Sequence, residues 1–383
     1  MEQFWIAPTQ LFDGANIVAG QAVRIAGGIV TEVTNVSALP PENMRQIQGC
    51  LTPGFVDLQV NGGGGILLST TPTPDGIAKI AAAHRAFGTV AIMPTVITDA
   101  PDVLDRAADA AIAAKDGAGI VGLHIEGPHI SQARRGTHNA GHIRPMDTRT
   151  LDVVARLRRH GIAVMITVAP ESTTNAQITQ LAQMGAVVSL GHTGVTADVI
   201  EAAIAAGAGC ATHLFNAMSP MESREPGTVG AVINSHIPSG IICDGFHVDD
   251  RMIRLALRAR PKDDLMFLVS DAMATVGGPD QFDLYGEHVR LVDGRLLNTE
   301  GNLAGAHITQ AEGVARLVQH IGATLDTALR MAVTIPSRVV GQPHLADIIG
   351  RPLRDILVLS PDLQSNTTLA ALHADLIAID AAE

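Results

Sequence analysis

Residues 191–193 read Gly-His-Thr and residues 212–218 read Thr-His-Leu-Phe-Asn-Ala-Met, so that His192 and His213 lie twenty-one positions apart. Each histidine ends a short apolar run, and residues 196–207, which are typical of a helix, separate the two runs. This strand–histidine–helix–strand–histidine pattern predicts two neighbouring parallel strands with both imidazoles at their carboxyl ends. Barrel enzymes build their active sites at that end of the strands.

A carboxylate follows the same pattern earlier in the chain. Residues 122–128 read Gly-Leu-His-Ile-Glu-Gly-Pro, and Glu126 ends the apolar run. Two imidazoles and one carboxylate at converging strand ends are typical of a catalytic metal site that leaves a position for water. We therefore predict Glu126, His192 and His213 as the ligands of one divalent metal ion, with Zn²⁺ as the first choice. His124 is a further candidate for the pocket wall.

Apolar strands alternate with Ala-rich helical stretches eight times from residue 51 onwards. The predicted strands cover 55–60, 90–94, 120–126, 163–169, 187–191, 210–215, 240–243 and 265–270. Nearly continuous apolar runs are expected of parallel strands that are buried on both faces. Eight such units predict an α/β fold, a (β/α)8 TIM-like barrel.

The two chain ends read as short strands separated by Gly and Asn turns. Strands are predicted over 4–7, 22–25 and 29–33 near the start, and over 356–360 and 376–379 near the end. We expect the two ends to pair into a small β-sandwich module beside the barrel. The predicted domains are residues 1–50 and 344–383 for this module and 51–343 for the barrel. A hairpin over 289–297 and two helices, near 311–320 and 325–340, complete the barrel domain.

Composition narrows the class of partner. The chain of 383 residues has 38 acidic and 26 basic residues and a net charge of −12, which argues against nucleic acid and anionic membranes. The three cysteines (Cys50, Cys210 and Cys243) lie in apolar contexts, and the start of the chain lacks the pattern of a signal peptide. We expect a cytoplasmic protein that acts on a small molecule.

Several polar residues follow the predicted strands and supply further chemistry. Asp271 ends the eighth strand, where a carboxylate can take a proton from an attacking water and later protonate a leaving group. His138, in the loop after the third strand, can polarise a carbonyl oxygen. Arg224 and His247 follow strands six and seven, and together they can hold a phosphate.

These segments resemble a known family. The matching runs, in chain order, are 53–57, 124–128, 136–138, 191–193, 212–218, 224–227, 244–247 and 270–272. Their order and spacing are similar to those of the N-acetylglucosamine-6-phosphate deacetylase family of the amidohydrolase superfamily, over about 51 to 359. The resemblance implies the metal ligands named above, Asp271 as general acid and base, and His138 as the group that polarises the carbonyl. It also implies that the sugar phosphate is bound by Asn216, Ala217, Arg224 and His247. In the family, the arginine matching Arg224 reaches the neighbouring subunit, which implies a homodimer.

Two positions depart from the wider pattern. Many amidohydrolases have His-x-His after the first strand, whereas this chain has Gln59 and Asn61, which favours a single metal and leaves a weak second site near Gln59 open. Residues 303–307 read Leu-Ala-Gly-Ala-His where the family usually has serines near the sugar. His307 is therefore predicted to contact the sugar and to affect its epimer preference.

Alternatives for the function remain at this level. The nearer one is a deacetylase of N-acetylgalactosamine 6-phosphate or another amidohydrolase that acts on a cyclic amide. The more distant one is a metal-free sugar-phosphate isomerase or binding protein, which would not need the Glu126–His192–His213 cluster.

Overall fold

The barrel is the main body of the molecule, whose computed structural model describes residues 4–372 and residue 374. Eight parallel strands, β1 to β8, lie side by side in chain order: Phe55–Val60, Thr89–Ile97, Leu123–Glu126, Val164–Val168, Val187–Leu190, Cys210–Ala211, Ser239–Ile241 and Met266–Leu268. Between β1 and β8 the backbone N–H of Asp271 donates to Gln59 O (3.0 Å), and Val60 forms a parallel bridge with Ala272. The predicted barrel is confirmed.

Helices follow the strands and cover the outside of the barrel. They are Pro74–Arg85, Pro101–Ala113, Thr148–Arg159, Asn175–Gln183, Ala197–Ala205, Gly227–Asn234, Asp250–Ala259 and Gln310–Arg316. The helix Thr148–Arg159 illustrates why they form. The Asp147 carboxylate accepts from the Thr150 backbone N–H (2.8 Å) at its start, and Leu151, Val154 and Leu157 lie on one buried stripe.

The two chain ends pair into one small β module, as predicted, and its strands form one hydrogen-bonded sheet. Its seven strands are Phe4–Phe12, Ile17–Val18, Gln21–Ala26, Ile29–Asn35, Met44–Pro53, Ile356–Leu359 and Asn366–Thr368. The strand Met44–Pro53 was missed in the sequence, and it crosses the first boundary predicted between domains. The domain boundaries themselves stay predictions. The strand predicted over 376–379 lies outside the described residues.

This sheet joins the barrel because its strands alternate between two apolar clusters. In Ile356–Leu359, Ile356 and Val358 pack into the module's own core, whereas Leu357 and Leu359 pack into the core of the barrel. Successive side chains of a strand point to opposite faces, so one strand serves both cores.

The predicted hairpin after β8 is confirmed, and a third strand extends it. Three antiparallel strands, Gln281–Leu284, Glu287–Val292 and Arg295–Leu297, form a small sheet over its own apolar cluster. The long helix predicted over 325–340 is divided into the α-helices Leu325–Leu329 and Ile335–Val339 by a π-helical stretch, Arg330–Thr334. None of the described helices combines the length and the apolar character needed to span a membrane.

Candidate active site

The carboxyl ends of β3, β5 and β6 bring Glu126, His192 and His213 together. Their ligand atoms lie within 4.8 Å of one another, and all three side chains are buried. Glu126 Oε1 lies 3.3 Å from His192 Nε2 and 3.1 Å from His213 Nε2, and the two Nε2 atoms are 3.1 Å apart. Strands that are far apart in the chain thus place three potential ligands around one point.

Hydrogen bonding shows that this cluster fits a cation. The His192 Nδ1–H donates to the carbonyl oxygen of Arg134 (2.8 Å), so Nε2 of the neutral ring carries a lone pair that can bind a metal ion. When Nε2 is protonated instead, it lies within reach of Glu126 Oε1 (3.3 Å), and a bound cation would replace that proton. Second-shell carbonyls orient metal-binding imidazoles in this way. The donor set of two nitrogens and one carboxylate, with a fourth position open, suits a divalent ion.

Ion pairing within the cluster keeps its carboxylate charged. Burial opposes ionisation of Glu126, but the hydrogen bonds and charges of His192 and His213 outweigh burial and hold the pKa of Glu126 well below its usual value. Burial lowers the pKa of His213, whereas its bond to Glu126 raises it, with a net rise. The carboxylate is therefore ionised at neutral pH.

Unusual backbone conformations occur where the strands give way to the site. His192, His213, Ala217 and Asp271 all have positive φ angles, of 48°, 25°, 52° and 51°. Non-glycine residues in this region are uncommon and cluster at functional sites. The prediction that β6 extends to residue 215 is wrong because the chain turns out of the strand after Ala211.

Asp271 lies beside the ligand cluster and is held by two amides. Its Oδ1 accepts from Asn61 Nδ2 (2.7 Å) and from Gln59 Nε2 (3.1 Å). Gln59 Nε2 also donates to Glu126 Oε1 (2.9 Å), so one amide joins the carboxylate at the end of β3 to the carboxylate that follows β8. Burial, and then the charge of Glu126, raises the pKa of Asp271 to about 6. Such a carboxyl can both accept and release a proton near neutral pH.

A second buried carboxylate, Asp57, was not predicted. It lies in the middle of β1, and both of its oxygens are 3.2 Å from the backbone nitrogen of Ser270, which donates. Asp57 Oδ1 also accepts from the backbone N–H of Gln59 (3.2 Å). Burial raises the pKa of Asp57 to about 7. Asp57 thereby connects β1 to the turn that carries Asp271. In the sequence, a charged residue within an apolar run was the feature that could have predicted this buried carboxylate.

His138 has a defined hydrogen-bonding state. The backbone N–H of Thr98 donates to His138 Nδ1 (3.4 Å), and the Thr98 hydroxyl lies 2.8 Å from the same atom. Since Nδ1 accepts, the proton of the neutral ring is on Nε2. Burial, and then the nearby His192, lowers the pKa of His138 to about 3. His138 is thus a neutral imidazole with one N–H to offer.

One cavity of about 200 Å³ collects most of the predicted residues, and we call it the catalytic cavity. Its walls include eight of the ten predicted site residues: Glu126, His138, His192, Asn216, Ala217, His213, His247 and Asp271. Within it, His247 donates from Nδ1 to Asp244 Oδ2 (2.6 Å), which leaves Nε2 as its other polar atom. The predicted acid, the carbonyl-polarising group and the sugar-side residues thus surround a single space.

Two predicted residues and one candidate lie elsewhere. Arg224 is exposed, and it is not among the residues that line the catalytic cavity. His307 does not line it either, and its Nδ1 lies 2.8 Å from the Thr275 hydroxyl. The sugar contact of His307 therefore stays a prediction. His124 is fully buried and bonded to Leu58 O and the Thr167 hydroxyl.

The fold and the site together define a class of protein. A (β/α)8 barrel with histidine and carboxylate groups at the ends of its strands is the arrangement of a metal-dependent amidohydrolase. No protein-family model matches the chain. The N-acetylgalactosamine-6-phosphate deacetylase of Shewanella sp. (strain ANA-3) is 38% identical over 355 residues, which cover 91% of this chain and 89% of the relative. The N-acetylglucosamine-6-phosphate deacetylase of Haemophilus influenzae is 32% identical over 322 residues, which cover 82% and 83%.

Comparison with solved structures leads to the same family. The N-acetylglucosamine-6-phosphate deacetylase of Pasteurella multocida matches with a TM-score of 0.88 and 32% identity, over 96% of this chain and 98% of that one. Enamidase, an amidohydrolase-superfamily member, matches with a TM-score of 0.56 and 12% identity over 93% and 86%, and so shows the fold alone. The chain belongs to the N-acetylglucosamine-6-phosphate deacetylase family.

Proposed function

We propose that this protein hydrolyses the acetamide of N-acetylglucosamine 6-phosphate to glucosamine 6-phosphate and acetate. The observation that carries the proposal is the catalytic cavity, in which Asp271 and His138 lie beside the cluster of Glu126, His192 and His213. Membership of the deacetylase family supports the same substrate.

Glu126, His192 and His213 would hold one divalent metal ion, and Zn²⁺ suits this donor set. When bound, such an ion lowers the pKa of a water and polarises a carbonyl oxygen. Gln59 and Asn61 direct their amide N–H groups at carboxylates, so these two residues favour a single ion.

Asp271 transfers the proton. Its carboxylate accepts a proton from the attacking water, and the protonated acid then donates to the sugar nitrogen as the C–N bond breaks. Gln59 and Asn61 hold the carboxylate in place for both steps. His138 donates its Nε2–H to the carbonyl oxygen, where negative charge develops.

The sugar phosphate would lie against Asn216, Ala217 and His247. Arg224 is exposed on the loop after β6, and this exposure supports a role in which Arg224 reaches the site of a partner subunit in a homodimer. An arginine fork suits a phosphate, and the net charge of −12 makes a local cation necessary for a dianion. Phosphate binding far from the reacting bond positions the amide.

We further propose a cytoplasmic location. The three cysteines are free and buried, which suits a reducing compartment.

Acetate release from N-acetylglucosamine 6-phosphate, measured with and without a chelator, tests the function. We expect turnover that stops on chelation and returns with added Zn²⁺. No acetate release from the metal-loaded protein would refute the proposal. The unphosphorylated sugar is the control, and it should react far more slowly.

The epimer N-acetylgalactosamine 6-phosphate is the second candidate substrate, since the Shewanella relative bears that name. The same assay with both epimers separates the two cases. A kcat/KM at least about tenfold higher for one epimer, equivalent to 1.4 kcal/mol, would identify the preferred sugar.

A further inference from the structure

Tyr285 has a backbone conformation that is unusual for so large a side chain. Tyr285 and Gly286 form the two-residue turn between the strands Gln281–Leu284 and Glu287–Val292, and both have positive φ angles, of 53° and 82°. Hairpin turns of this kind favour Asn, Asp and Gly, and a bulky residue with positive φ is an outlier. Such outliers persist where surrounding contacts hold them, and they cluster at functional sites.

The contact that holds Tyr285 lies at the end of β2. Its hydroxyl donates to the carbonyl oxygen of Thr98 (2.5 Å), the residue that directly follows that strand. Burial, and then the charge of Asp99, raises the pKa of Tyr285 above its usual value, so the hydroxyl keeps its proton and continues to donate. The three-stranded sheet thus fixes the peptide group of Thr98.

Thr98 in turn holds His138. The Thr98 backbone N–H donates to Nδ1 of the imidazole (3.4 Å), and the hydroxyl lies 2.8 Å from the same atom. Thr98 is fully buried, whereas His138 lies in the loop between the short 3₁₀ turns Gln132–Arg134 and Ala140–His142. The bond made to one ring nitrogen of a histidine sets which nitrogen carries the proton. Thr98 therefore fixes both the direction of the His138 ring and its tautomer.

Thr98 and Tyr285 lie behind His138 and not in the catalytic cavity. His138 is among the described residues that line this cavity, and the other two are not. A donor aimed at a developing oxyanion loses its effect when it is misdirected, because its value depends on its geometry. Any effect of the two hydroxyls on the reaction is thus transmitted through His138.

We propose that Tyr285 and Thr98 are positioning residues for the hydrolysis. Tyr285 secures the Thr98 carbonyl from the three-stranded sheet, and Thr98 holds His138 with its Nε2–H directed towards the substrate. The inference rests on the proposed function, in which His138 polarises the acetamide carbonyl. The contact between the sheet after β8 and the end of β2 thereby becomes a condition for a productive His138.

Tyr285→Phe and Thr98→Val each remove one hydroxyl, and acetate release from N-acetylglucosamine 6-phosphate by the metal-loaded protein measures the effect. We expect kcat to fall about threefold to tenfold for Tyr285→Phe and at least about tenfold for Thr98→Val, with KM changed by less than about twofold. Thr98→Ser keeps the hydroxyl and should retain most of the activity. The matched control is Thr150→Val, which removes a hydroxyl that lies 2.8 Å from the ring of His129, away from the catalytic cavity, and should leave kcat unchanged.

A His138→Gln background separates positioning from a general loss of structure. There, Tyr285→Phe and Thr98→Val should lower kcat by no more than about a further twofold, since the group through which they act is gone. Imidazole ¹⁵N NMR of the metal-loaded protein should show His138 protonated on Nε2 in the wild type and as a mixture of tautomers in Thr98→Val.

An unchanged kcat in either single variant would overturn the inference and leave the deacetylase function standing. Losses that add in full to that of His138→Gln, or a His138 tautomer that Thr98→Val does not alter, would have the same meaning. If the wild type itself releases no acetate, the inference and the proposed function are both overturned.

Discussion

At the scale of single residues, Asp271 owes its properties to what surrounds it. Burial and the neighbouring Glu126 raise its pKa to about 6, and the amides of Gln59 and Asn61 hold one oxygen. An amide side chain at position 271 would fill the same space but could not carry a proton.

Asp271→Asn should therefore retain the metal and lose activity by about 10²–10⁴-fold, the usual contribution of general acid–base catalysis. Metal content by elemental analysis and kcat by acetate release are the two measurements. A variant with full metal and nearly normal kcat would assign the proton transfer to another group.

The raised pKa of Asp57 predicts that the stability of the protein depends on pH. Its pKa is raised to about 7 in the folded protein, against ~3.9 in an unfolded chain, so folding favours the protonated form. The stabilisation that Asp57 gives is fully present below pH ~4. As the pH rises from there to about 7, the free energy of unfolding falls by at most ~4 kcal/mol.

Asp57→Asn should thus make the free energy of unfolding of metal-free protein less dependent on pH between about 4 and 7. Denaturant unfolding at several pH values measures it, with Asp75→Asn, in the first turn of helix Pro74–Arg85, as control. Equal slopes for the wild type and Asp57→Asn would mean that Asp57 titrates normally.

At the scale of elements, hydrogen bonds hold the loop between β6 and helix Gly227–Asn234, which carries Arg224. The next residue, Glu225, accepts with Oε1 from the backbone N–H groups of Ala197 and Gly227, both at 2.9 Å. These hydrogen bonds lower the pKa of Glu225 and join the loop to two helix starts. Arg224 itself stays exposed, as the proposed contact with a partner subunit requires.

Arg224→Ala should raise KM for the phosphorylated sugar by at least about tenfold, because a charge-assisted hydrogen bond is lost. Weak activity on the unphosphorylated sugar should change little. The control is Arg159→Ala, which changes an exposed arginine at the end of helix Thr148–Arg159. Mixing Arg224→Ala with Asp271→Asn chains should restore some activity. Mixed dimers that stay inactive would place Arg224 in its own subunit's site.

At the scale of the whole molecule, the cluster of Glu126, His192 and His213 joins three barrel strands. Glu126 follows from β3, His192 from β5 and His213 from β6, so an ion bound there binds the folded state and not the unfolded chain. Binding stabilises a protein by about 2.7 kcal/mol when the free ion is at a hundred times its Kd.

We expect about one divalent ion per chain and a lower Tm after chelation. Elemental analysis and thermal unfolding measure these, with Glu126→Gln as the variant whose Tm should respond much less to the chelator. Two ions per chain, both needed for turnover, would contradict the single-metal interpretation of Gln59 and Asn61.

The sequence by itself determined the barrel and the contents of its catalytic face. Eight apolar runs specify strands buried on both faces, and the residue that ends each run must lie at one edge of the sheet. That is why the sequence alone predicts Glu126, His192, His213 and Asp271 at that edge.

Only the tertiary structure decided the contacts that depend on distant parts of the chain. Asp57 meets Ser270 across 213 positions, and Thr98 sets the proton of His138 across 40. A cavity of about 550 Å³ forms where the loop after β3 faces the three-stranded sheet after β8. Along the chain, these two segments are separated by strands β4 to β8. Local patterns fix strands and their ends, whereas such contacts arise only when the barrel closes and brings its first and last strands together.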